Sequence, residues 1–251
     1  DIWYKECEGS YESEVMKFGG TSLRSEATRK YVYRHILEYQ KTHKIVLVVS
    51  AMGRYPDAYA TDTLLSLGSE YLSKEEKARL VSMGEQLSTL KVCSELLDMG
   101  ISCACPFFFL KQEFSVMIIM IMLKFLRLDG TKVKQALANY DVVVVGGFIS
   151  MTPQGHITTL GRGGSDYSAV LFADMLDLKE VDIYTDVDGV YDNDPKLNSY
   201  AIKYDKLTYD EMLNMKSRVL HDRSVEYAKE HGIRIYLKGT FSGSQGTVID
   251  A

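Results

Sequence analysis

The stretch "KIVLVVSA", residues 44–51, decides the fold. Ile45 to Val49 are five aliphatic residues in succession, too few for a buried helix and too uniform for a strand with one wet face. A strand without polar alternation is covered on both sides, as in a parallel sheet between layers of helices. "DVVVVGGF" (141–148) repeats the pattern, and "ISCA" (101–104), "VDIYTDV" (181–187) and "IRIYLKGT" (233–240) read as further strands. "SEVMKFGG" (13–20) is a short strand entering a Gly-Gly turn. Helical signals fall between them. "SLRSEATRKYVYRHILEYQKTHK" (22–44) places Leu23, Ala27, Val32, Ile36 and Leu37 on one apolar stripe. Ser73 and Glu76 form a capping box that opens "KEEKARLVSMGEQLSTLKVCSELLDM" (74–99), with Gly100 as its stop. "TKVKQALANY" (131–140), "SDYSAVLFADMLDL" (165–178), "TYDEMLNM" (208–215) and "RSVEYAKEHG" (223–232) are also helical. This alternation predicts one α/β domain, a three-layer αβα sandwich with a mostly parallel central sheet.

Two segments stand outside the alternation. "ISMTPQGHITTL" (149–160) reads as a hairpin turning at Pro-Gln-Gly, whereas residues 105–128 have neither a clean period nor a convincing cap; a buried strand and helix is one option for them, and they carry no functional weight. The 251 residues, 46% hydrophobic and 25% charged, suit a globular protein with a substantial core. A net charge of −5 disfavours general nucleic-acid binding but leaves small anions open. The longest apolar run, "VMIIMIML" (116–123), is far shorter than the roughly 20 residues of a membrane span. With a polar, acidic start in place of a signal peptide, the chain is expected to be cytoplasmic, with no membrane partner. Cys7, Cys93, Cys103 and Cys105 lack zinc-ligand spacing and are read as reduced thiols, with no metal site in the protein itself.

Three clusters carry chemistry. "KFGGTS" (17–22) sits where a strand gives way to a helix, so free backbone N–H groups and Lys17 converge on a point suited to phosphate. Alone it is also an ordinary tight turn, and neither a P-loop nor a dinucleotide-binding fingerprint is present. "TTLGRGGSDYSA" (158–169) surrounds Arg162 with Gly161, Gly163 and Gly164, and Ser165 or Asp166 is placed to cap the next helix. A planar guanidinium there suits a carboxylate or phosphate. "YTDVDGVYDNDPK" (184–196) follows a buried strand, where open α/β sheets bind ligands. Its aspartates imitate a calcium loop, but the glycine and closing glutamate are misplaced, and an adenine-nucleotide site fits better.

"KFGGTS", "VVSAM", "ATDTLL", "GEQLS", "TTLGRGGSDYSA", "YTDVDGVYDNDP" and "RSVEYA" occur in the order found in aspartate kinases. The chain resembles the amino-acid-kinase-type catalytic domain of that family over residues 15–251, with residues 1–14 as an N-terminal extension. It departs from the family in lacking a Thr-Gly-x-Gln-Ala-Gly-like segment after "ISCA", and no regulatory ACT domain is recognised in it. The resemblance implies transfer of the γ-phosphoryl group of ATP, carried with Mg²⁺, to the side-chain carboxylate of L-aspartate. That reaction opens the route to lysine, threonine and methionine. It further implies that Lys17 stabilises the transferring phosphoryl group, that Asp166 positions the lysine, and that Gly19 and Gly20 contact the phosphates. By the same resemblance Arg162 takes a substrate carboxylate, Glu85 the ammonium group, and Ser50, Thr61 and Gly163 line the aspartate pocket. Thr185, Asp186, Tyr191, Lys196 and Arg218 fall at nucleotide positions, Lys216 being the alternative to Arg218. A homodimer is expected. The rival readings are another member of the wider kinase group, acting on acetylglutamate, glutamate or uridylate, and a nucleotide-binding domain without turnover.

Overall fold

A computed structural model describes residues 12–105, 114–119, 122–128, 130–152, 154–195, 197–215 and 219–251. Its centre is an eight-stranded sheet. In chain order the first strands are β1 (Glu12–Phe18), β2 (His43–Val49) and β3 (Cys103–Ala104); β6 (Val142–Gly146) and β9 (Glu180–Thr185) follow later. β12 (Lys206–Thr208), β13 (Arg234–Gly239) and β14 (Thr247–Asp250) complete it, in the order β12-β14-β13-β9-β1-β2-β6-β3. Every neighbouring pair is parallel except β13 and β14. Because β1 begins at Glu12, the sheet takes in residues 12–14, which the sequence reading set in the N-terminal extension.

The aliphatic runs are covered on both faces, as their lack of alternation requires. Along β2, Val46 and Val48 enter one apolar core, while Ile45, Leu47 and Val49 enter the other. The first core is closed by α5 (Thr131–Asn139), α6 (Gly164–Met175), α7 (Tyr209–Asn214) and α8 (Asp222–His231), through residues such as Leu137, Phe172, Met212 and Val225. The second is closed by α2 (Glu26–Tyr39) and α4 (Lys74–Asp98), through Val32, Ile36, Val92 and Leu96. The result is the expected αβα sandwich. A four-stranded sheet is built from β4 (Phe114–Ile119), β5 (Met122–Leu128), β7 (Ile149–Met151) and β8 (Ile157–Thr159). β7 and β8 form the anticipated hairpin, whereas β4 and β5 are an antiparallel strand pair, not the strand and helix that was one option for this segment. A short pair, β10 (Val190–Tyr191) and β11 (Lys203–Tyr204), follows β9. Among the described residues no helix is long and apolar enough to cross a membrane.

The helix expected over 22–44 is broken in two. α1 (Gly20–Leu23) is a single turn, and Ser25 restarts the chain as the N-cap of α2 in a reciprocal box with Thr28. A threonine takes the place of the usual glutamate in that box, so the break is silent to the S-x-x-E pattern. Ala27 is consequently exposed, and Arg29 is buried in its stead. Arg29 forms two parallel bonds of 2.7 Å to Glu95 of α4 and a third of 3.0 Å to the Leu23 carbonyl. Such a bidentate pair offsets the cost of burying the guanidinium and ties α1 and α2 to α4. α3 (Thr61–Ser66) packs on α4, whose Ser73–Glu76 box and left-handed Gly100 stop both form as the sequence indicates.

Candidate active site

The site lies at the carboxyl ends of β1, β2 and β9. From β1 the chain leaves to build β2 and β6 on one side, while β9 and β13 lie on the other, so strand order reverses at β1. Lys17 shares the face of Val15, which is the α6 face, and is only 7% exposed. Its ammonium lies 2.5 Å from Oδ1 of Asp166 in the first turn of α6. The two charges form a close, largely buried ion pair.

Gly20 is dictated by packing. A Cβ there would fall 2.5 Å from the carbonyl oxygens of both Ala51 and Gly53, and Gly53 N–H donates to the Gly20 carbonyl at 2.8 Å. The turn after β1 is thereby zipped onto the loop after β2. Gly163 is dictated twice over. It sits in the left-handed region at φ 69°, and a Cβ would collide with His221. Gly163 itself is the N-cap of α6 and no side chain caps the helix. Ser165 and Asp166, read from sequence as caps, instead occupy the first turn, which leaves the Asp166 carboxylate for Lys17.

Two cavities meet at this point. The larger, about 620 Å³, is lined by Gly19, Gly20, Thr185, Asp186 and Tyr191 among others. The smaller, about 560 Å³, is lined by Thr61, Glu85, Arg162 and Gly163. Lys17, Gly20, Ser50 and Asp166 line both. The structure therefore brings together every candidate from the sequence except Lys196 and Arg218, which lie outside the described residues along with Lys216.

Glu85 is 2% exposed. Its Oε1 accepts the Ala51 N–H at 3.2 Å, and Oε2 has no hydrogen-bond partner among the described residues. Burial pushes its carboxyl up to about 8, opposed only by the backbone bonds from Ala51 and Glu85 itself. The Arg162 guanidinium is exposed and makes no ion pair with any described residue. On the other side, the Thr185 hydroxyl is engaged in a turn with Val187, and Tyr191 donates to Asp188 at 2.6 Å. Aspartate carboxylates at 166, 186, 192 and 194 line the larger cavity, but among the described residues no three acidic, His or Cys side chains converge to hold a metal ion, so an Mg²⁺ ion would arrive with the triphosphate.

Two arginines escaped the sequence reading. Arg54, in the loop between "VVSAM" and "ATDTLL", lines the larger cavity. Arg223, inside "RSVEYA", donates to the carbonyls of Leu160 and of Arg162, the latter at 3.2 Å, and rests over the Tyr167 ring. No spacing rule points to either; Arg54 lies in an aperiodic loop, and Arg223 looks like a helix-surface charge.

The chain is 37% identical to aspartokinase 1 of Bacillus subtilis over 248 residues, covering 94% of this chain and 60% of that protein. The aspartate kinase structure from Synechocystis superposes with a TM-score of 0.79 at 34% identity, covering 94% of this chain and 39% of that one. Escherichia coli aspartokinase III, solved with aspartate and ADP, also gives 0.79, at 24% identity over 95% of this chain and 64% of that one, and speaks to the fold alone. The chain thus spans less than two thirds of the length of these relatives. The sequence pattern of the amino acid kinase family matches residues 13–239, which hold both cavities and the Lys17–Asp166 pair between them, and the chain belongs to the amino acid kinase family.

Proposed function

We propose that the protein is an aspartate kinase, transferring the γ-phosphoryl group of ATP to the side-chain carboxylate of L-aspartate. The observation that carries this reading is the junction of two cavities at Lys17 and Asp166, one lined for a nucleotide and one for a small zwitterion. In the smaller cavity Glu85 presents to an ammonium group a carboxylate oxygen unpartnered among the described residues, and Arg162 presents its planar fork to a carboxylate. Ser50, Thr61 and Gly163 complete the pocket. In the larger one, Gly19 and Gly20 take the phosphates, with Thr185, Asp186 and Tyr191 around the adenosine. Lys196 and Arg218 are assigned to the same nucleotide on the family resemblance.

Both reactants are anionic, so the barrier is lowered by alignment and charge neutralisation. A carboxylate oxygen of aspartate attacks the γ-phosphorus, the bond from that phosphorus to its bridging oxygen breaks, and ADP leaves with the electron pair. Lys17 meets the charge that gathers on the transferring group, and Asp166 holds its ammonium between the cavities. Mg²⁺ bound with the nucleotide supplies further neutralisation of the phosphate oxygens. On the same reading we propose a cytoplasmic homodimer, which light scattering checks, at the head of lysine, threonine and methionine formation.

Incubation with ATP, Mg²⁺ and L-aspartate, followed by trapping with hydroxylamine, tests the reading. An aspartate-dependent hydroxamate is expected. Folded protein that binds ATP and yields none would overturn it.

A further inference from the structure

We infer that Arg54 is a phosphate-binding residue of the nucleotide cavity, a further cation that closes on the triphosphate opposite Lys17. The inference rests on the reading of the larger cavity as the ATP site.

The loop that carries Arg54 is fixed at its base and free at its tip. Gly53 is bonded to the Gly20 carbonyl, and the Arg54 N–H donates to Asp57 Oδ2 at 3.0 Å. Asp57 is itself held by Arg24 at 2.9 Å. The Arg54 backbone is therefore locked beside the Gly19–Gly20 turn. Its side chain, by contrast, is 75% exposed and leans over the cavity mouth. Nε donates to the Thr21 hydroxyl at 3.0 Å, and a terminal nitrogen stands 3.7 Å from Asp186. Thr21 adjoins the glycine turn of β1 and Asp186 follows β9, so the guanidinium spans the entrance between the two walls.

Charge makes this position consequential. Among the described residues, Lys17 and Arg54 are the cationic side chains lining the cavity, against four aspartates. Lys17 is already paired with Asp166, at the inner end. A triphosphate entering the cavity carries more negative charge than one paired lysine neutralises, and Arg54 adds to whatever Lys196 and Arg218 contribute by the family resemblance. Arg54 holds Asp186 at a distance where an exposed ion pair contributes little, so exchanging it for a phosphate oxygen costs little. The planar fork then makes charge-assisted bonds of the stronger kind. The contact is with phosphate rather than with base or ribose, because the anchor lies at the glycine-turn end of the cavity.

The test is the affinity of the wild type, Arg54→Ala and Arg54→Lys for ATP and for AMP, measured by calorimetry with Mg²⁺ present. Arg54→Ala is expected to weaken ATP by about tenfold and AMP by less than twofold, with an unchanged Tm because the side chain is exposed. Arg54→Lys should recover part of the ATP affinity, keeping charge but losing the fork. ATP affinity unchanged in Arg54→Ala, or ATP and AMP weakened alike, overturns the inference. Failure of the wild type to bind ATP overturns it together with the proposed function. Binding without hydroxamate formation removes only the aspartate kinase reading and leaves the ATP–AMP comparison to decide Arg54.

Discussion

Lys17, on the penultimate position of β1, and Asp166, in the first turn of α6, stand 2.5 Å apart across the wall shared by the two cavities. Neither cavity owns the lysine, which faces both. A group so placed acts on what passes between the sites more than on what rests in either. Lys17→Ala is therefore expected to lower kcat by about 1000-fold while moving the KM for aspartate by less than about threefold. Steady-state kinetics by hydroxamate trapping, on protein whose Tm shows it folded, checks this. A variant whose loss lies in KM with kcat preserved would remove Lys17 from the transfer step.

The buried carboxyl of Glu85 yields a pH dependence with a definite sign. With its folded value pushed up to about 8, Glu85 is protonated at pH 6–7 and must ionise to hold an ammonium group. Aspartate binding then releases a proton, and the KM for aspartate falls about tenfold from pH 6 to pH 7, levelling above pH 8. Calorimetry in buffers of different ionisation enthalpy detects the proton directly. Glu85→Gln should show a raised KM that is flat over this range. A wild-type KM independent of pH would count against Glu85 as the ammonium partner.

Legibility in the sequence followed the physics of each region. The aliphatic runs of β2 and β6 reveal a doubly covered sheet, because burial on both faces erases alternation. Glycine clusters at strand ends reveal the anion site, because close backbone approach excludes side chains. Glu85 was illegible from pattern alone. α4 turns Met83 and Leu87 outward and Glu85 inward, reversing the polarity its neighbours suggest, and the buried carboxylate is met by the Ala51 N–H, a partner 34 residues away that no local pattern contains. The break at Ser25 was hidden by the same logic: Arg29 is buried through its pairing with Glu95, a partner 66 residues away that no local window contains. Arg54 and Arg223 act through tertiary contacts to backbone and cavity, which leave no periodic trace.

Arg162 and Arg223 divide the labour of the glycine loop. Arg162 offers its fork to the smaller cavity, while Arg223 bonds the carbonyls of Leu160 and Arg162 and so fixes the loop's path. Arg162→Ala is expected to raise the KM for aspartate by 10-fold or more, removing a charge-assisted contact. Arg223→Ala should raise it by about tenfold through a loosened loop, with the KM for ATP within about twofold of the wild type. Free guanidinium ion at millimolar concentration should restore part of the Arg223→Ala activity and none of the loss in Arg223→Ala,Arg162→Ala beyond that. Equal losses toward ATP and aspartate would show Arg223 to support the fold in general and not the loop.

Far from the site, Glu14 sets a stability profile. It lies on the α2 face of the sheet beside Asp182, whose charge is taken by Lys238 at 2.5 Å. Burial first and Asp182 second push the Glu14 carboxyl up to about 8, against the pull of Lys238. A carboxyl raised on folding stabilises the protein fully below its unfolded value near 4.5, and that stabilisation is lost as pH climbs through 8. Glu14→Gln keeps the neutral form at every pH. Its stability relative to the wild type should therefore increase between pH 5 and pH 9, by on the order of 4 kcal/mol. Urea unfolding of both proteins across this range measures the difference, in which the similar contribution of Glu85 cancels. A difference that stays flat with pH would show that Glu14 is already ionised in the folded protein, and that Lys238 outweighs burial at this position.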